Sequence, residues 1–205
     1  VGGAEAPLSE FTISQMRALK IYSNEKGDYP SLPLEKIKKR NSMVLGEGAA
    51  MFCLEKAHGN EGLAKIKGFG YHTELIEHNV SLSSEADCLQ KSMKMALKNA
   101  AISEVDSIVM HAPGTINGDQ NEYKAIENVF KKNKPHLIST KHMTGHCLGA
   151  SGALSMELAI LMLQYQEIIK FPYNSLSCGH PKKINTVMIN ATGFGGNAVS
   201  IILSK

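Results

Sequence analysis

The chain has no paired cysteines, little excess charge and no long apolar run, and each shortage excludes a class of protein. Its four cysteines (Cys53, Cys88, Cys147, Cys178) lie far apart among 205 residues, with no CxxC pair. That spacing argues against a disulfide framework and fits a reduced, cytoplasmic setting. The formal net charge is only +3, with lysines and acids interspersed. The densest basic run (Lys36, Lys38, Lys39, Arg40) is short and reads as a solvated loop, so no nucleic-acid partner is expected. No basic-then-apolar leader opens the sequence. The most apolar stretch, "ALSMELAILMLQ", carries Glu157 and is too short to span a bilayer, so no membrane partner is expected. Internal repeats and low-complexity tracts are also missing. The expectation is a soluble intracellular protein.

What is present can build a core. Hydrophobic residues make up 43% of the chain, enough for one large domain or two small ones. "VGGAEAPLSEF" reads as the end of a buried strand, a turn and the start of a helix over Leu8–Tyr22. A domain rarely begins by finishing a strand, so the chain reads as the later part of something longer. A polar, proline-containing loop follows to about Asn41. "SMVLGEGAAMFCLE" reads as two short strands, or one bent at Gly46 and Gly48. "AHGNEG" is a turn and "AKIKGFGYHTE" a strand. From Glu85 to Ala101, Leu89, Met93, Leu97 and Ala100 recur at helical spacing. "SIVMHAP" is a buried strand, "GDQNEYKAIENVF" a helix with Ala125, Ile126, Val129 and Phe130 on one face, and "HLIST" a short strand. "GASGALSMELAILMLQYQ" is a long buried helix, and "TVMINATGFGGNAVSIILSK" closes with strand, glycine turn and strand. Alternating strands and helices predict an α/β fold whose sheet is covered on both faces.

Three glycine-rich polar stretches directly follow strands: "HAPGT", "KHMTGH" and "GFGG". In open α/β sheets, sites gather at the carboxyl ends of strands, and three such loops predict a site at one edge. His111 is either a buried structural histidine or a site residue. His146 stands at the mouth of a buried helix, where a ring nitrogen can face a pocket. His142 and His146 share the i, i+4 spacing of a zinc pair, but Thr144 and Gly145 between them argue for a turn, and no metal is expected. Cys147 beside His146 packs as a small apolar residue more readily than it acts as a nucleophile. Lys141 is either an ordinary exposed lysine or a site cation at a strand end. "GFGG" is either a tight turn or a hinged aromatic gate.

These stretches together resemble another set of proteins. "HAPGT" near Asp119 and Glu122, "STKHMTGHCLGASG" and "GFGG" occur in the order and spacing of the β-ketoacyl synthases of the thiolase-like superfamily. "GGAEAP" and "LGEGAAMFCLE" are similar to that family's mid-chain segments. The resemblance implies a layered α-β-α fold. Residues 1–60 would be the tail of a first thiolase-like half and residues 61–205 the second half. It implies decarboxylative Claisen condensation of malonyl and acyl thioesters carried by an acyl carrier protein, with no free cofactor. His111 and His146 would hold the malonyl thioester oxygen, and Lys141 would support them electrostatically. The Phe194 backbone N–H would bind an oxyanion while its ring acts as a gate, beside Gly195. Thr115 and Thr144 would contact the substrate, Thr115 at the phosphopantetheine arm. The partners implied are the acyl carrier protein, the missing N-terminal half and a second subunit in a homo- or heterodimer.

Departures from the pattern are specific. The family's nucleophilic cysteine lies upstream of "GGAEAP" and so outside these residues. Pro113 replaces a threonine, Ser155 stands where an acid is usual, with Glu157 two residues away, and "LPLEKIKKRNSM" lacks the usual Phe-Asp-rich segment. A non-catalytic partner that shapes an active subunit's pocket, of the chain-length-factor type, is therefore the alternative. The chain alone should give no β-ketoacyl product when incubated with acyl and malonyl carrier proteins, because no acyl-enzyme can form. Product detected by mass spectrometry would refute that expectation.

Overall fold

Two apolar faces on one mixed sheet organise the molecule, described here from a computed structural model for residues 1–56, 62–75, 82–131, 133–177, 179 and 181–205. The elements in chain order are β1 (Gly2–Glu5), α1 (Glu10–Ala18), β2 (Gly48–Met51), β3 (Lys65–Thr73), α2 (Asp87–Ala100) and β4 (Ser107–Val109). There follow α3 (Ile116–Val129), β5 (His136–Ile138), α4 (Lys141–Thr144), a 3-10 turn (Leu148–Ala150), α5 (Ser151–Tyr165), β6 (Thr186–Gly193) and β7 (Asn197–Ser204).

The main sheet runs β3-β7-β6-β4-β5. Strand β4 is parallel to both β5 and β6, whereas β6, β7 and β3 form an antiparallel meander. Alternation along each strand sends side chains to both faces. Ile108, Met188 and Ile202 pack with Leu89, Met93 and Leu97 of α2 and Ile126 of α3. Val109, Ile138, Val187, Ile189 and Leu203 pack on the other side with Leu158, Ala159, Met162 and Leu163 of α5. The sheet is thus covered on both faces, as the alternating pattern predicts. The helical run Leu148–Tyr165 reaches the length and hydropathy of a membrane span, exceeding the apolar stretch singled out in the sequence. Here the sheet takes up Leu158, Ala159, Met162 and Leu163, while Leu161 and Tyr165 are exposed.

Alpha5 also packs under a second, two-stranded sheet of β1 and β2. Strand β1 is not the buried strand its apolar residues suggest: its residues alternate between exposed and half-buried, because it pairs with β2 alone. The first helix is shorter than Leu8–Tyr22 and starts where Ser9 caps the Thr12 N–H. "GEGAAM" yields one short strand, while Leu45 makes an isolated parallel bridge to His146. The "AHGNEG" turn lies mostly outside the described residues, as does Cys178.

Strand β3 explains "KGFGYH". Gly68 and Gly70 face α2 so closely that a Cβ on Gly68 would sit 2.5 Å from the Ala96 carbonyl oxygen, and one on Gly70 would strike that of Ser92. The alternate residues Phe69 and Tyr71, on the α5 side, are exposed. Gly70→Ala should therefore cost about 1–3 kcal/mol in denaturant unfolding, since backbone on both sides must move. Gly27→Ala, with nothing within 4 Å, should change stability by less than about 0.5 kcal/mol.

Candidate active site

Because β4, β5 and β6 are parallel neighbours, their carboxyl ends open onto one edge of the sheet. His111 follows β4, Lys141 follows β5, and the Phe194–Gly196 turn follows β6. All three sequence-predicted loops meet there.

The His111 loop is held from beneath by α3. Glu122, 1% exposed, accepts the His111 N–H at 3.0 Å and the Ala112 N–H at 2.8 Å, and its Oε1 also accepts from Asn190 Nδ2 at 3.1 Å. Asp119, one helical step earlier, accepts the Gly114 N–H at 2.9 Å. Ala112 is thereby kept at φ +25°, a backbone conformation that non-glycine residues adopt only under constraint. From β6, the Thr192 N–H donates to His111 Nδ1 at 3.3 Å.

His146 is placed by a distant segment. Its N–H donates to the Val44 carbonyl at 2.7 Å, and its carbonyl accepts from Gly46 N–H at 3.2 Å. Only glycine fits at 46, where a Cβ would run into the Thr144 carbonyl. Gly145, at φ +67°, ends the single turn of α4 and turns the chain into this pairing. The Leu148 N–H, 3.1 Å away, donates to His146 Nδ1, so the Ser151 hydroxyl at 3.2 Å must donate to it too.

These fixed backbone donors assign both tautomers. Each Nδ1 is an acceptor, so each neutral ring carries its proton on Nε2. The ring centroids are 5.1 Å apart and the planes cross at 76°. Burial, with Lys141 nearby, holds His111 well below the ordinary histidine value and His146 at about 3. Both rings are neutral N–H donors at physiological pH.

Lys141 is buried, 1% exposed, behind the histidines rather than solvated. Burial lowers it to about 8 against the pull of Glu122 and Asp119, and burial raises Glu122 to about 7. A second buried lysine corrects the reading of the basic run as a solvated loop. Lys36, Lys39 and Arg40 are exposed, but the Lys38 side chain is 2% exposed and pairs with Asp119 Oδ2 at 3.1 Å.

The two histidines line a cavity of about 700 Å³ together with Pro113, Thr115, Phe194 and Gly195. Thr115 caps α3 by accepting the Gly118 N–H at 3.2 Å. Phe194 is 60% exposed, on a turn whose Gly195 has φ +96°. Lys141 and Thr144 are not among the lining residues; the Thr144 hydroxyl donates to the Thr140 and Gly145 carbonyls instead. The rings of the zinc-spaced pair diverge, His142 packing on Phe171 at 4.6 Å and His146 facing His111. Cys147 is buried with its Sγ 3.6 Å from the Thr144 carbonyl oxygen, as a small packing residue. The parts missed from sequence are Lys38, Asn190 and Ser151. The signal for the α3 acids was available: Asp119 and Glu122 extend the buried stripe of Ala125 and Ile126.

The family described as beta-ketoacyl synthase, C-terminal domain, matches residues 63–172. The chain belongs to the β-ketoacyl synthase family. Its fold is the thiolase-like α/β fold. Among curated proteins it is similar to 3-oxoacyl-[acyl-carrier-protein] synthase 2 of Coxiella burnetii, 32% identical over all of this chain and 54% of that protein. The synthase of the same name from Staphylococcus aureus (strain COL) is 29% identical over the same shares. Among solved structures, a type II polyketide acyl-carrier protein in complex with its hexaketide-bound ketosynthase matches with TM-score 0.83 at 25% identity, over 98% of this chain and 54% of that one. A ketosynthase in complex with its chain length factor from Xenorhabdus doucetiae matches with TM-score 0.78 at 28% identity, over 100% of this chain and 52% of that one. The chain spans about half the length of the curated relatives it matches.

Burial of neutral histidines couples stability to acid. With His146 at about 3 in the fold and near 6.5 when unfolded, the unfolded chain binds more protons between those values, so stability falls as pH drops through that window. Glu122 acts in the opposite sense between 4.5 and about 7. Thermal melts between pH 6.5 and 4.5 should therefore show a smaller downward shift for His146→Gln than for the parent.

Proposed function

We propose that the protein carrying this chain performs decarboxylative Claisen condensation on thioesters borne by an acyl carrier protein, and that this chain supplies the decarboxylating half of the site. One observation carries the reading: two neutral imidazoles, His146 buried and His111 half-buried, each fixed as an Nε2–H donor by the backbone, line one cavity. Two such donors suit an oxygen on which negative charge develops. The malonyl thioester oxygen binds between the Nε2–H groups. Carbon dioxide leaves, the electrons of the broken C–C bond become an enolate, and the two donors hold its charge. The enolate carbon then attacks an acyl thioester on a cysteine outside this sequence, whose thiolate departs.

The remaining residues take supporting roles in this reading. Burial keeps both rings unprotonated, and Lys141, coupled to Glu122, adds to this by placing a positive charge behind them. Thr115 has its hydroxyl hydrogen left to donate to the phosphopantetheine arm, its oxygen being used as a cap. The Phe194–Gly195 turn supplies an oxyanion N–H and a mobile ring at the mouth. Thr144 serves the α4 turn rather than substrate. No free cofactor is required, and a second subunit, in a homo- or heterodimer, is proposed as partner; one similar ketosynthase is in complex with its chain length factor.

A second reading, a chain-length-factor-type partner without activity of its own, is favoured by Pro113 on the cavity wall and by Ser155, buried in α5 while Glu157 points outward. One experiment separates the two. In the full-length protein, carbon dioxide release from malonyl carrier protein and acyl loading are measured separately for His111→Ala, His146→Ala and the pair. Each single change should slow decarboxylation by about 10²–10³ and leave loading nearly intact. The double change should fall short of the product, because the donors share one oxygen. Parental decarboxylation rates in both single variants would leave the partner reading standing.

A further inference from the structure

Lys38 is the buried charge for which the proposed chemistry has no use. Its Nζ lies 3.1 Å from Asp119 Oδ2, 3.1 Å from Ser42 Oγ, 3.1 Å from the Gly114 carbonyl and 2.5 Å from the Leu32 carbonyl. Three N–H groups are shared among four oxygens, which is how a cation sits in a cage rather than how a directed pair of hydrogen bonds is made. The cage ties two chain segments together. Asp119 also accepts the Leu34 N–H at 2.9 Å, the Ser42 N–H donates to the Gly114 carbonyl at 2.8 Å, and the Ile116 N–H donates to Asn41 Oδ1 at 2.9 Å. What this zipper holds is the Gly114–Thr115 step, with Gly114 at φ +90°, on the cavity wall.

We infer that Lys38 is a tethered monovalent cation, a positioning residue whose ammonium fills an oxygen cage and sets the Thr115 wall of the cavity. Glu122, not this cage, holds the His111 backbone, so Lys38 governs where the substrate arm lies rather than the chemical step. That last point rests on the function proposed above; the cage itself does not.

The test uses the full-length protein with Lys38→Met, which reproduces the stem up to Cε and leaves the Nζ position open. Thermal melts are recorded in ammonium, potassium and tetramethylammonium chloride at equal ionic strength. The variant should melt below the parent, and ammonium or potassium should recover part of the loss where tetramethylammonium, too large for the cage, does not. The parent should show no such difference, nor should Lys38→Met/Asp119→Asn, whose cage is neutral. If Lys38→Met does not fold unaided, refolding yield in the three salts gives the same comparison. Equal behaviour in all three salts overturns the inference. The functional arm is a split: KM for malonyl-pantetheine should rise about tenfold to a hundredfold, the scale expected of a displaced positioning wall, while kcat stays within about threefold. Added ammonium should lower KM again. A fall in kcat at constant KM would mark Lys38 as merely structural and overturn the positioning role. Absence of turnover by the parent, with the salt-specific melts intact, would count against the proposed function and leave the cage standing.

Discussion

The His111 loop at the sheet edge depends on two carboxylates that one helix face carries into the interior. Asp119 and Glu122 are each about 1% exposed, and between them they accept the backbone N–H groups of His111, Ala112 and Gly114. A loop that leaves a buried strand end must find partners for its N–H groups. The acids solve that problem and create another, since each is a charge that burial disfavours. Lys38 and Lys141 answer it, one in direct contact with Asp119 and one coupled electrostatically to Glu122. Breaking a buried contact pair such as Lys38–Asp119 by removing one member typically costs about 3–5 kcal/mol.

Burial is the main reason the histidines are neutral, and the positive charge of Lys141 adds to it. A proton on Nδ1 of either ring would face a backbone N–H. Chemistry that needs hydrogen-bond donors without proton transfer is thus built from backbone geometry and burial rather than from a conventional acid–base pair.

Sequence carried the local features well. The periodic α2 helix, the β6–β7 hairpin about its glycines and the three strand-end loops all follow from spacing within ten or twenty residues, and the structure bears them out. Features set by distant contacts were hidden. Lys38 sits among solvated basic residues, and it is drawn inward by Asp119, 81 positions later, together with oxygens of Leu32, Ser42 and Gly114. Strand β1 looks buried by composition, yet burial depends on how many strands flank it. The partners that hold His111, Glu122 on a following helix and Thr192 on a distant strand, are not legible from its own stretch.

The pairing of Leu45 with His146 has a kinetic side. These residues are 101 positions apart, and the bridge forms only where Gly46 lets the Thr144 carbonyl approach. Contacts of such separation are made after the loop-closure entropy of the intervening chain has been overcome, which places them late in folding. The α2–β3 and β6–β7 units can assemble early from neighbours in sequence. The second histidine can reach its final register only when a segment synthesised far earlier comes to lie beside it, so the site is among the last parts of the molecule to mature.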